Sequence, residues 1–195
     1  MSLFEFTFGL SAVILGLALA HMASTVSKLA MAGRRVRWAA EPVLLAALVA
    51  LITVSTWLFQ WGMRDETETT YGLMMLQVGK LILPFMAATF VLPDGVPEEG
   101  PVDLHAHYDR TRALSFGALI GYMVVLYLVY VVTWTPGQKL AAWPTTLWEL
   151  VVNLPWECLA YGALIVVRRR WVNIVLLSAL LLYNAWFIVP IRLTG

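Results

Sequence analysis

Six stretches of predominantly apolar residues, separated by short polar connections, constrain this chain more than any other feature. They run at about 4–29, 42–62, 72–93, 112–133, 146–167 and 172–190. A helix that crosses the bilayer core needs about 20 such residues. The spacing therefore predicts an all-α polytopic membrane protein with six transmembrane helices, forming one transmembrane domain over residues 1–195. Composition agrees. The chain is 61% hydrophobic and 13% charged, whereas soluble domains are about 45–50% apolar and about 25% charged. That excludes an ordinary soluble domain, and the low polarity excludes disorder.

The connections are turn-rich or charged. Gly33-Arg34-Arg35-Val36-Arg37 separates the first two spans, and Arg64-Asp65-Glu66-Thr67-Glu68 the next two. The longest, about 93–111, carries Pro93, Asp94, Gly95, Pro97, Gly100 and Pro101. Thr135-Pro136-Gly137-Gln138 opens the fourth connection, and Arg168-Arg169-Arg170 forms the last. Helix starts are written in the sequence too. Ser2-Leu3-Phe4-Glu5 and Thr146-Leu147-Trp148-Glu149 read as capping boxes. Pro42 suits a first helical turn, where its missing N–H costs nothing.

Basic residues beside the spans predict orientation. Lys28, Arg34, Arg35, Arg37, Arg110, Arg112 and Arg168 to Arg170 share one side, nine in all, against Arg64, Lys139 and Arg192 on the other. The nine belong on the cytoplasmic side of a bacterial-type inner (plasma) membrane, which puts both termini on the non-cytoplasmic side and the 93–111 loop in the cytoplasm. The N-terminus has no basic residue before its apolar run, so the first span reads as an uncleaved helix. Trp61, Trp134, Trp143, Trp148 and Trp186 fall near the outer boundary, Trp38 and Trp171 near the inner one, as in an interfacial aromatic belt. Trp156 is at mid-span. Ala88-Thr89-Phe90-Val91-Leu92-Pro93 resembles Ala185-Trp186-Phe187-Ile188-Val189-Pro190, the mark an inverted repeat of three helices would leave. Apolar helix ends also resemble one another by composition alone.

Charged groups at membrane depth are costly and usually pair or face water. Lys80 in the third span and Glu157 in the fifth stand at matching depths. Gln77 and Pro84 flank Lys80, while Glu149, Asn153, Glu157 and Tyr161 recur every four residues along one helix stripe. Glu149 is already accounted for by its capping position. Pro155 interrupts that stripe and frees a backbone carbonyl near residue 151. Two readings stay open: a polar path or cavity lined by Lys80, Glu157, Gln77, Asn153, Tyr161 and Asn184, and a buried ion pair that only fixes packing. Asn184 and Gln60 are each explained by interhelical hydrogen bonding.

His21, with Ser24, Thr25 and Lys28 on its face, is a candidate proton relay or a simple interhelical bond. It is the one histidine within a span, which argues against a bis-histidine haem in a single chain. Asp103, His105, His107 and Asp109 resemble part of an HxHxDH metal motif with Arg110 in place of the last histidine, and also read as a solvated amphipathic lead-in to the fourth span. Ala12, Gly16, Ala20 and Ser24 form a small-xxx-small series, and Gly117 and Gly121 a GxxxG, both expected at close helix contacts within or between chains.

Cys158 is the single cysteine, so neither an intrachain disulfide nor a Cys-cluster metal site is available. The net charge of +1 offers no field for nucleic acid. No phosphate-binding glycine loop, HExxH, GxSxG or CxxCH occurs. The expectation is a small channel or transporter for an ion or small polar solute, not an enzyme, with no cofactor, in the lipid bilayer and as a homo-oligomer. The alternative is a membrane scaffold, sensor or accessory subunit whose 93–111 loop meets a cytoplasmic partner.

Overall fold

The structure is a computed structural model that describes residues 3–63, 70–95, 100–133 and 155–188. Among these residues the chain forms six α-helices: α1 (Leu3–Ala32), α2 (Ala40–Phe59), α3 (Tyr71–Val91), α4 (Leu104–Thr133), α5 (Pro155–Val166) and α6 (Arg170–Ile188). Four of them, α1 to α4, are long and apolar enough to cross a membrane. The caps expected at Ser2 and Thr146, the Arg64 to Glu68 and Thr135 to Gln138 connections, and Glu149 and Asn153 lie outside the described residues.

Local chemistry sets the helix ends. α2 starts from an extended Ala39 and places Pro42 in its first turn. The Thr70 hydroxyl accepts the Leu73 amide at 3.3 Å and starts α3. Gly33 ends α1 at φ +56°, a conformation that a Cβ would oppose. The Asp103 carboxylate accepts the Ala106 amide at 3.0 Å, and α4 begins at Leu104. The connection expected over about 93–111 is therefore shorter, because its last eight residues are the first turns of α4. Just before them Val102–Asp103 (β2) pairs in parallel with Val36–Arg37 (β1), Val36 opposite Val102 and Arg37 opposite Asp103. This clasp ties the α1–α2 connection to the α3–α4 connection.

α2 is the central helix and packs on α1, α3, α4 and α6. Its Leu45, Leu48, Val49 and Ile52 are buried against Ala87, Ala88 and Val91 of α3, Phe116 and Leu119 of α4, and Leu177 and Leu180 of α6. Lipid tails are as apolar as leucine, so such packing rests on close contact and interhelical hydrogen bonds. α3 and α4 make the most extensive pair. A Cβ on Gly121 would stand 3.3 Å from Leu83 Cδ2, and one on Gly79 would stand 3.9 Å from Val125 Cγ1. Gly121 thus lies at a close contact, as expected, whereas Gly117 is exposed with nothing within 4 Å of its Cβ position.

α1 corrects one expectation within the single chain. Its buried seam is Ser11, Leu15, Ala18, Met22, Thr25 and Leu29, alternating by four and three residues. That is the 3.5-residue repeat of helices packed side by side. Ala12, Gly16, Ala20 and Ser24 lie off this seam and are exposed, and nothing comes within 4 Å of a Cβ on Gly16. Leu15, Met22 and Leu29 supply the bulk of this seam, so the contact is made through side chains and not backbone to backbone.

Candidate functional site

Polar groups gather in two layers. The first lies where α2, α4 and α6 begin. Glu41, in the first turn of α2, is fully buried. A carboxylate suits that place because the helix N-terminus carries partial positive charge. Burial still requires a partner, and Arg170 of α6 donates its Nε to Glu41 Oε1 at 2.8 Å. His105 Nδ1 stands 3.5 Å from the same oxygen, and His105 Nε2 stands 3.7 Å from Asp109. Arg112, also buried, lies 3.8 Å from Asp109 and donates to the Val167 carbonyl at 3.0 Å. One network thereby joins α2, α4, α6 and the end of α5. Tyr108 lies within electrostatic reach of Glu41, Asp109 and Arg112.

The four residues of the metal-like fragment have separate roles. Asp103 caps α4, and the Ala106 amide holds its carboxyl below the usual range. His105 and Asp109 belong to the Glu41 network. His107 turns to the Phe90 carbonyl at 3.1 Å. Helical geometry separates His105 from His107, since residues two apart do not share a face. Among the described residues no three His, Cys, Asp or Glu side chains converge as a metal site. His21 lies 3.4 Å from Asp94, just beyond α3.

The second layer lies deeper among the helices. Thr56 of α2 and Tyr122 of α4 share a hydrogen bond of 2.8 Å. Ser11 of α1 donates to Gln60. Asn184 of α6 donates Nδ2 to Glu157 Oε1 at 3.4 Å. Glu157 lies within electrostatic reach of Tyr161 and Tyr122. Lys80 is buried on α3, and Pro84 leaves the Lys80 carbonyl without its helical donor. Among the described residues no ion pair joins Lys80 to Glu157 within 4.0 Å; Asn153, one of the expected bridging groups, lies outside them. Of the stripe's other described members, Glu157 meets Asn184, and Tyr161 lies within electrostatic reach of Glu157.

Between the layers runs one face of α4. Tyr108, Ser115 and Tyr122 repeat every seven residues and are all buried. The Phe116 ring joins this face to α5, edge-on to Tyr108 at 6.4 Å and stacked on Tyr161 at 6.1 Å. Among the described residues the hydroxyls of Tyr108, Ser115 and Tyr161, together with Glu41 Oε2 and Asn173 Oδ1, are buried without a hydrogen-bond partner. At the far end, Phe8, Trp57, Leu58 and Trp61 line an apolar cavity of about 370 Å³.

Sequence reasoning used Arg112 and Arg170 only to set orientation and gave no role to Glu41, Tyr108 or Tyr122. The seven-residue spacing of Tyr108, Ser115 and Tyr122 was the available signal. Comparison with known proteins finds no matching family model, no similar curated protein and no similar solved structure.

Proposed function

We propose that this chain carries a small ion or polar solute across a membrane as a channel or transporter, with Glu157 and Lys80 as its central charged groups. The observation that carries the reading is the file of buried polar side chains between the two layers. From Tyr108 to Tyr122 it covers about 21 Å of helix, a large part of a bilayer core of about 30 Å. Two hydroxyls of this file, on Tyr108 and Ser115, and that of Tyr161 on α5 have no protein partner among the described residues. An unmet buried polar group costs about 1–3 kcal/mol, so these three are better suited to hydration or a passing solute than to packing alone. The reading includes six spans in an inner membrane, both termini outside, and a homo-oligomer. It contains no catalytic step.

A static scaffold is the second reading. It is favoured by the apolar side chains Leu45, Leu48, Val49 and Ile52, which fill α2 between Glu41 and Thr56. Flux separates the two. In liposomes holding the purified chain, proton and cation fluxes are followed with entrapped dyes. Transport predicts flux above empty liposomes, reduced about tenfold or more by Glu157→Gln and by Tyr161→Phe in correctly folded protein, since a buried donor or acceptor is worth about 1–3 kcal/mol. If Lys80 and Glu157 are coupled, Lys80→Met and Glu157→Gln each destabilise the chain and the double variant recovers stability without activity. No flux with any ion tested, or flux unchanged in the folded variants, overturns the transport reading.

A further inference from the structure

We infer that the surface where α2 and α6 begin, the mouth of this helix pair, binds the phosphodiester headgroup of an anionic phospholipid. The surface is built from two short segments, Arg37-Trp38 before α2 and Arg168 to Trp171 at the start of α6. The Glu41–Arg170 bond at 2.8 Å holds them side by side, and α2 and α6 pack closely. Arg37 and Arg170 both lie within electrostatic reach of Asp103, which brings the strand pair to the same place.

The charges around this mouth do not cancel. The acids are Glu41, Asp103 and Asp109. Glu41 is taken by Arg170, Asp109 faces Arg112, and Asp103 stands opposite Arg37 in the strand pair, so the five arginines at 37, 112 and 168 to 170 exceed the three acids by two charges. Arg168 and Arg169 are exposed beyond these pairs, and Arg37 is exposed beside them. Guanidinium groups bind phosphate oxygens two at a time, and a cluster of them between membrane helices attracts anionic headgroups.

The surroundings favour a lipid over a free anion. Trp38 is 51% exposed and Trp171 is 64% exposed, one on each segment. Such rings settle at headgroup level. Beyond them the outward side chains of both helices are apolar, Val43 and Val54 on α2, and Val175 and Leu182 on α6. A phosphate held by the arginines would have its acyl chains along these side chains. An excess of two positive charges suits a headgroup with two phosphates, so diphosphatidylglycerol should bind more tightly than phosphatidylglycerol. The inference needs only a chain embedded in a membrane and is independent of the transport reading.

The test uses the purified full chain in zwitterionic nanodiscs, titrated with diphosphatidylglycerol, phosphatidylglycerol, phosphatidylcholine or inorganic phosphate. Binding is read by native mass spectrometry and by the unfolding temperature. The wild-type chain should retain diphosphatidylglycerol and melt higher with it, and respond to neither phosphatidylcholine nor inorganic phosphate. The triple variant Arg37→Gln, Arg168→Gln, Arg169→Gln should weaken binding about tenfold or more, at about 1 kcal/mol for each basic residue near the surface. Arg34→Gln with Arg110→Gln removes charge from the same side but not from this mouth, and should change it less than about twofold. Equal losses in the two variants would mean a diffuse field and overturn the site. So would an equal response to inorganic phosphate, or a wild-type chain that does not distinguish anionic from zwitterionic lipid.

Discussion

Glu41 and Arg170 are unequal partners, and the inequality makes a prediction. The carboxylate is fully buried, while the guanidinium is 58% exposed. Removing the carboxylate leaves an arginine that can turn to water. Removing the arginine leaves a buried carboxylate with His105 at 3.5 Å and its own backbone N–H as partners. Arg170→Gln should therefore destabilise the chain more than Glu41→Gln, although each deletes the same contact. Stranding a buried charge typically costs about 3–5 kcal/mol, and losing an ordinary hydrogen bond costs about 0.5–1.5 kcal/mol. Thermal unfolding of both variants in one detergent checks the order. Equal losses would show that water reaches Glu41.

Among the helices, α1 and α4 carry opposite lessons about small residues. Gly121 on α4 faces Leu83 across a tight contact, so a larger side chain there must push the two helices apart. Gly121→Leu should cost about 1–3 kcal/mol through overpacking. Gly16 on α1 has open space around it. Gly16→Leu should leave the single chain folded, with an unfolding temperature close to wild type when it is monomeric. If copies associate through the Ala12, Gly16 and Ala20 face, the same variant should dissociate them. Light scattering and unfolding curves read both effects. A Gly16→Leu chain that loses its fold would mean that α1 packs differently.

At the scale of the whole molecule, the proposed six-span topology with the basic residues inside puts Gly95 in the cytoplasm and Gln138 on the outer side. In a Cys158→Ala background, a cysteine at Gln138 should react with an impermeant reagent added to intact cells, and one at Gly95 should react only after lysis. The reverse pattern would invert the orientation. On that proposed orientation the charged network, the strand pair and the exposed arginines would lie on the inner side, where anionic lipid would meet them.

Helix positions were largely legible in the sequence because apolar length and Pro42 are local signals, each acting within a turn of the backbone, whereas the Asp103 cap that starts α4 at Leu104 was not read from it. The same locality explains where reading stopped. Helical spacing places Glu157 and Tyr161 on one stripe, and it could have placed Tyr108, Ser115 and Tyr122 on another. It says nothing about which stripe faces which helix. Glu41 meets Arg170 across 129 positions of chain, and Thr56 meets Tyr122 across 66. Those meetings depend on how six cylinders rotate about their axes, which is settled by the summed packing of side chains such as Leu48, Phe116 and Leu177. Small residues mark where helices are able to approach closely. Whether they do is decided by volume elsewhere, and so Gly121 is packed while Gly16 is open. The sequence by itself determined an all-helical membrane chain and its polar inventory; only the tertiary structure decided which polar groups share a site, because partner choice is a property of packing and not of spacing.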